Sequence, residues 1–389
     1  MALFIGYGLR RALPVLARYN LPPPVLGGLL IAVAVLIAHR QGHTLFQFDT
    51  TLQSPLMIAF FTTIGFGASL SLLRVGGPQV LRFFVIASLF AVVQCLVGIS
   101  IALLFGLNPL FGVLAGSVTL TGGPATGLAF APLFEQAGVV GAASIAVAAA
   151  MGGIVAGGIV GGPVSTVLIE RNGLGKRRPT NEEPPDPVIL DVEVSAAAST
   201  SEDNEFPLLK NVVAILVAMW AGAWLSRGFT AIGATLPAYI GAMLVAAVIR
   251  NVDDATGWLR LSHRVISDFG TVALSLFLVV ALMTLKLWEL SGLALPLVTI
   301  LVMQVALAAV VAAGPVYRAM GRNYEAAVMS GGFIGFMLGT TANAMAVMRT
   351  LVERYGPAPR AFLVAPMVGA FFIDFTNALI ITVFLNLMT

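Results

Sequence analysis

Nine predominantly apolar runs follow one another along this chain, at 22–39, 54–72, 83–105, 137–168, 207–226, 236–249, 266–285, 292–316 and 361–386. A helix that crosses a bilayer needs about 20 such residues, so the pattern predicts a polytopic membrane protein. The charge content agrees: 10% of the 389 residues are Asp, Glu, Lys or Arg, against about a quarter in a soluble domain. Soluble globules, disordered regulators and secreted disulfide scaffolds are thereby excluded. The single cysteine, Cys95, rules out a disulfide framework and a thiolate metal cage. Met1 to Gly8 read as the tail of a further span, too short as written, and no signal-peptide pattern opens the chain.

Between 169 and 206 the composition turns polar, through Glu182-Glu183-Pro184-Pro185-Asp186 and then Ser- and Ala-rich sequence. This stretch reads as a solvated linker between two halves, 1–168 and 207–389. The halves resemble each other. Pro24-Val25-Leu26-Gly27-Gly28 corresponds to Pro237-Ala238-Tyr239-Ile240-Gly241, and Asn108 through Thr126 corresponds to Asn323 through Thr341. Glu135-Gln136-Ala137-Gly138 corresponds to Glu353-Arg354-Tyr355-Gly356, and Gln94 and Gln304 fall in equivalent apolar stretches. Three anchors in one order favour a true repeat over chance likeness between Ala-, Gly- and Leu-rich stretches, and internal repeats are expected in transporter folds.

Basic residues orient the halves. If 108–130 and 323–346 enter and leave on one side, and the N-terminus is external, all but Arg40, Arg227 and Lys286 of the 21 Lys and Arg fall on the cytoplasmic side. If those segments cross instead, the bias disappears, so the positive-inside rule selects the first arrangement. The expected fold is all-α, with two inverted-topology repeats, each of five transmembrane helices plus one re-entrant hairpin. The linker is then cytoplasmic and the C-terminus external.

The first re-entrant segment reads Thr119-Leu120-Thr121-Gly122-Gly123-Pro124-Ala125-Thr126-Gly127, and its mate runs from Gly331-Gly332 to Gly339-Thr340-Thr341-Ala342-Asn343. Close packing of small residues is one reading. Gly, Pro and threonine together, repeated, favour the other: broken helices whose tips hold a substrate near the midplane. The candidate substrate residues are Thr119, Thr121, Gly122, Gly123 and Thr126, with Gly339, Thr340, Thr341 and Asn343. No Lys or Arg lies deep in a span, so a carboxylate would be met by backbone N–H groups and the positive ends of broken helices.

Asp374 is the acid in the middle of the last run, and Asn377 follows on the same helix face. An intramembrane carboxylate is costly and is a functional candidate by default. A hard cation such as sodium takes oxygen ligands, so Asp374 and Asn377 are the candidate cation residues. A structural acid tied to a helix end or an Arg is the alternative. Gln94 and Gln304 read as interhelical hydrogen-bond partners, Glu135 and Glu353 as interfacial partners of Arg. His39, His43 and His263 read as loop residues without ligand spacing. No Gly-x-x-x-x-Gly-Lys loop points to ATP, and no nucleophile–base pair to an enzyme.

The chain resembles the bacterial sodium/glutamate symporter family over nearly its whole length. The likeness rests on Leu21-Pro22-x-Pro24-Val25-x-Gly27-Gly28-Leu29-Leu30, Pro55-Leu56-Met57-x-Ala59-Phe60-Phe61-x-Thr63-Ile64-Gly65 and Leu114-Ala115-Gly116-Ser117-x-Thr119-Leu120-x-Gly122-Gly123. Gly161-Gly162-Pro163-Val164, Ser275-Leu276-Phe277-Leu278, Leu285-Lys286-Leu287-Trp288-Glu289-Leu290 and Pro366-Met367-Val368-Gly369-Ala370-Phe371-Phe372-Ile373-Asp374 continue it. The resemblance implies sodium-coupled uptake of L-glutamate at a bacterial inner membrane, with Na⁺ as coupling ion and no organic cofactor. It also implies a ten-helix inverted-repeat fold in membrane lipid, a homodimer and an elevator-type movement; no nucleic-acid partner is expected. Two positions depart from the family pattern: Pro124 stands where a His is common, and Gly332-Phe333 where Gly-His is common. These departures open the alternative of another small carboxylate, a dicarboxylate or hydroxycarboxylate. A non-transporting sensor on the same scaffold is the competitor, but the linker is too short and polar for an output domain.

Overall fold

The computed structural model of the chain describes residues 1–13, 16, 21–41, 48–75, 77–175, 205–231, 236–290 and 292–389. Most of the expected linker lies outside the described residues, and so do Arg18, His43, Lys176, Arg177 and Arg178.

Among the described residues the regular structure is all helical. The first half contains α1 (Ala2–Ala12), α2 (Pro23–Arg40), α3 (Gln53–Gly67), the short α4 (Leu70–Val75) and the long α5 (Gly77–Leu104). A broken pair follows, α6 (Pro109–Val118) and α7 (Gly123–Gln136), and then α8 (Ala142–Arg171). The second half contains α9 (Glu205–Ala231), α10 (Ala238–Thr256), α11 (His263–Met283), a single 3₁₀ turn (Leu287–Leu290) and α12 (Ala294–Ala319). A second broken pair, α13 (Tyr324–Met337) and α14 (Thr341–Tyr355), precedes α15 (Pro359–Met388). Among these, 7 helices, α2, α5, α8, α9, α11, α12 and α15, are long and apolar enough to cross a membrane. The chain is a multi-pass membrane protein.

Two expected spans take another form. The run 54–72 yields only the 15 residues of α3, about 22 Å at the helical rise, short of a hydrocarbon core of about 30 Å. The break lies where α10 captures the chain. Asn251 Nδ2 donates to the Ala68 carbonyl at 2.9 Å, and Asn251 Oδ1 accepts from the Leu70 N–H at 2.8 Å. Asp254 Oδ2 accepts from the Ser69 and Ser71 hydroxyls at 2.5 and 3.0 Å. The run 236–249 in turn extends to Thr256 and gathers Arg250, Asp253 and Asp254 into its last turns. His39 and His263 are helix-terminal rather than loop residues, and His39 stacks on Trp288 with ring centroids 4.0 Å apart.

Element order is the same in the two halves, and so are small details. Each broken pair opens on a capping asparagine: Asn108 Oδ1 accepts from Leu110 N–H and Asn323 Oδ1 from Ala326 N–H, both at 2.9 Å. Helices α1 and α2 cross at Gly6 and Gly27, and α9 and α10 cross at Gly222 and Gly241; a Cβ on any of the four would fall inside the facing helix.

Both broken pairs are hairpins, because their ends are tied together. Asn108 Nδ2 donates to the Ala137 carbonyl at 2.9 Å, closing the mouth of α6 and α7, and the Tyr324 hydroxyl donates to the Gly356 carbonyl, closing that of α13 and α14. Helices α5 and α12 run antiparallel. Gln79, near the start of α5, reaches the Met320 carbonyl beyond the end of α12 at 3.5 Å, while Gln94 and Gln304 meet midway. Each hairpin directly follows one of these two helices, so the two mouths lie at opposite ends of α5.

The helices divide by their packing. In one group α3 packs on α10 and α11, α2 on α1 and α11, and α9 on α10. In the other α8 packs on both hairpins and on α12, and α5 on α6, α12 and α15. Among the described residues the chain passes between the groups through α4 and through the turn Leu287–Leu290. An aromatic contact joins them: Tyr239 of α10 lies between Phe61 of α3 and Phe130 of α7, at centroid distances of 4.9 and 5.2 Å.

Candidate functional site

The site forms where the two hairpin turns meet. In the first, α6 ends in a π-turn over Leu114–Val118 kinked at Gly116, where φ is −97° and ψ −123°. Gly123 then takes φ +69°, a conformation open to glycine at little cost. Pro124 occupies the first turn of α7, where it has no helical hydrogen bond to lose. In the second, α13 stops at Met337, and Thr340 starts α14 by accepting from the Asn343 N–H at 3.3 Å. The turns abut: the open face of Gly123 looks at the Gly339 carbonyl.

The Ser117 carbonyl is the hub of the first turn. It accepts from the N–H groups of Thr121 and Gly122 at 3.2 and 3.0 Å and from Asn377 Nδ2 of α15 at 3.0 Å. The Ser117 hydroxyl meets Cys95 Sγ at 2.9 Å. Gln94 of α5 joins the two hairpins: its Oε1 accepts from the Thr121 hydroxyl at 2.6 Å, and its Nε2 donates to the Met337 carbonyl at 3.0 Å. Gln304 Nε2 donates to the Gln94 carbonyl at 2.7 Å, and Asn343 Nδ2 to the Ile154 carbonyl of α8 at 2.7 Å.

Three amide oxygens are left over. Gln304 Oε1, Asn343 Oδ1 and Asn377 Oδ1 are buried and have no hydrogen-bond partner among the described residues. Each amide has its nitrogen on a carbonyl, so flipping it would set oxygen against oxygen. A buried unpaired acceptor costs about 1–3 kcal/mol. Such oxygens suit a cation. Asp374, half-buried, lies one helical turn before Asn377 and two residues past the end of a π-turn over Val368–Phe372. No ion pair to Asp374 occurs among the described residues.

Thr121 and Asn377 thus share the Ser117 carbonyl, and Gly123 abuts Gly339, whose turn leads through Thr340 to Asn343. Gly122, Thr340 and Thr341 are half-buried at the same tips, and the Thr341 hydroxyl faces Gly369 of the α15 π-turn. Thr119 is different: fully buried, its hydroxyl turns back to the Leu114 carbonyl at 2.8 Å. Thr126 is buried over Gly122, one turn into α7. Phe333 does not face the turn. It packs with Phe83, Phe90 and Phe336 at centroid distances of 5.9, 5.2 and 5.7 Å, one turn before Met337. Ser117 carries no signal of its own in the sequence, whereas Gln94 is the interhelical hydrogen-bond partner expected there and also reaches the turn through Thr121. A glutamine in the middle of an apolar run was the available signal.

A separate cavity of about 380 Å³ runs along α7 from Leu128 to Glu135, with Gln53, Ser144, Thr284, Lys286 and Glu289 on its other walls. It lies between the two helix groups, where the Ser144 hydroxyl of α8 donates to the Lys286 carbonyl at 3.1 Å. The tip residues do not line it. Among the described residues no cluster of His, Cys, Asp and Glu suits a transition metal.

The sequence model described as the sodium/glutamate symporter matches residues 1–357. The sodium/glutamate symporter of Escherichia coli K12 is 40% identical over 388 residues, spanning 100% of this chain and 95% of that protein. That of Haemophilus influenzae Rd is 39% identical over 386 residues, 98% of this chain and 94% of its own.

Proposed function

The chain belongs to the sodium/glutamate symporter family, and from that premise we propose that it is a secondary active transporter coupling L-glutamate uptake to sodium. The observation that carries the reading is the pair of buried, unpartnered oxygens of Asn343 and Asn377 at the meeting hairpin turns, with Asp374 a helical turn away. Sodium is a hard cation that takes such ligands, so Asp374 and Asn377 hold it, and the oxygen of Asn343 at the second turn is a further ligand. The carboxylates of glutamate are met at the turns by the N-terminal N–H groups of α7 and α14, where the helix dipoles are positive. Gly122, Gly123, Gly339, Thr340 and Thr341 border that space. A different small carboxylate has no support from Pro124 or Phe333, which serve a helix start and an aromatic cluster.

The hairpins and α8 move as one body against α1 to α3 and α9 to α11, in an elevator-type cycle. Support comes from the division of packing and from the few connections between the groups. The two halves form an inverted repeat, supported by the antiparallel α5 and α12 and by hairpin mouths at opposite ends of α5. The protein sits in the bacterial inner membrane as a homodimer, with the linker cytoplasmic and the C-terminus external, as the distribution of Lys and Arg favours.

Single cysteines replacing Thr340 or Thr341, in a Cys95→Ser background, test the site. A small membrane-permeant thiol reagent should label them, and sodium with glutamate should slow labelling about tenfold or more through ligand occupancy. Labelling indifferent to both would place the site elsewhere.

A further inference from the structure

Gln94 does more than bridge helices. The Met337 carbonyl can only accept, so it fixes which end of the Gln94 amide faces it: Nε2, at 3.0 Å. Oε1 is then turned to Thr121 and can only accept, so the Thr121 hydroxyl must donate its one proton at 2.6 Å. A hydroxyl whose proton is committed offers lone pairs alone. The chain of constraint thus runs from the end of α13 in one hairpin, through α5, to the turn of the other. Gln304 holds the Gln94 carbonyl at 2.7 Å, and Gln94 is fully buried, so no water competes for either bond.

Thr121 and Asn377, whose own oxygen is free, share one anchor. The Ser117 carbonyl binds the Thr121 N–H at 3.2 Å and Asn377 Nδ2 at 3.0 Å, which gathers the two residues around one atom. Resting on the function proposed above, we propose that Gln94 is a positioning residue that sets the hydrogen-bond polarity of the first hairpin turn, so that Thr121 Oγ1 acts as an acceptor-only ligand for sodium. Thr121 then cannot donate to a substrate carboxylate, and Gln94 affects sodium through Thr121 alone.

The test is a double-mutant cycle read on sodium. Thr121→Val, Gln94→Leu and the double variant are reconstituted, and the sodium concentration for half-maximal glutamate uptake is measured at saturating glutamate. The same variants are melted in detergent with and without sodium. Thr121→Val should raise the half-saturating sodium about tenfold, the loss of one ligand oxygen. Gln94→Leu should raise it by a similar factor, and the double variant no further than Thr121→Val alone. Thr121→Ser, which keeps the hydroxyl, should stay near wild type. Multiplying factors in the double variant, or an effect confined to the glutamate dependence, would overturn the inference. Sodium stabilisation in the melts needs no substrate. Coupled effects there, in a wild-type protein that does not carry glutamate, would uphold Gln94 while contradicting the proposed substrate. Should Gln94→Leu melt early even without sodium, Gln94→Met, which is unbranched and of similar length, supplies the same comparison.

Discussion

Asp374→Asn should leave a protein that inserts normally but whose sodium-dependent uptake falls on the order of a hundredfold, the worth of a charge-assisted contact to a buried cation. The substitution keeps the shape of the side chain and one carbonyl oxygen but removes the charge. Among the described residues no cation pairs with Asp374, so a structural ion pair is not what the variant would lose. The corresponding position of the first half is Gly157, packed against α13, so the fold of a half does not call for an acid there. The variant should also lose most of its stabilisation by sodium in thermal melts. Uptake with an unchanged sodium dependence would return Asp374 to a structural role.

A bridge between positions 144 and 286 should arrest transport completely. Ser144 begins α8, which carries the hairpins, while Lys286 lies in the segment leaving α11; the Ser144 hydroxyl reaches the Lys286 carbonyl at 3.1 Å. Ser144→Cys with Lys286→Cys, in a Cys95→Ser background, places two thiols on the walls of one cavity, where a short bifunctional thiol reagent whose link is itself a reducible disulfide can join them. If the two helix groups move past each other, the joined protein binds glutamate but does not carry it, and reduction restores uptake. Each single variant should transport after the same treatment. Full transport by the joined protein would show that this contact persists through the cycle and that the division of the helices is static.

The parts of this fold legible in the sequence are those set by local chemistry. The two broken helix pairs announce themselves because Gly122-Gly123-Pro124 and Gly339-Thr340 cannot continue a helix, and the turns fall at those residues. Asn108 and Asn323 stand at matching places because each caps a helix. The end of α3 was not legible: Leu70, Leu72 and Leu73 prolong the apolar run, and the break depends on Asn251 and Asp254, far away in the chain. The site divided in the same way. Asn377 could be placed beside Asp374 by helical periodicity alone. That the Thr119 hydroxyl is spent on Leu114, while that of Thr121 is held by Gln94, depends on which way a kinked turn faces its neighbours. Spacing along the chain does not record that. The residues that position the turns, Gln94 and Ser117, are ordinary members of their helices until two hairpins from different halves are brought together.

Counterflow in proteoliposomes tests the central claim most directly. Vesicles holding the purified protein are loaded with unlabelled L-glutamate and diluted into a trace of labelled L-glutamate, with sodium on both sides or with sodium replaced by choline. A sodium-coupled glutamate symporter accumulates label transiently in sodium and not in choline, and the Asp374→Asn protein accumulates little in either. Equal accumulation in sodium and choline, or none in sodium from correctly inserted protein, would contradict the account.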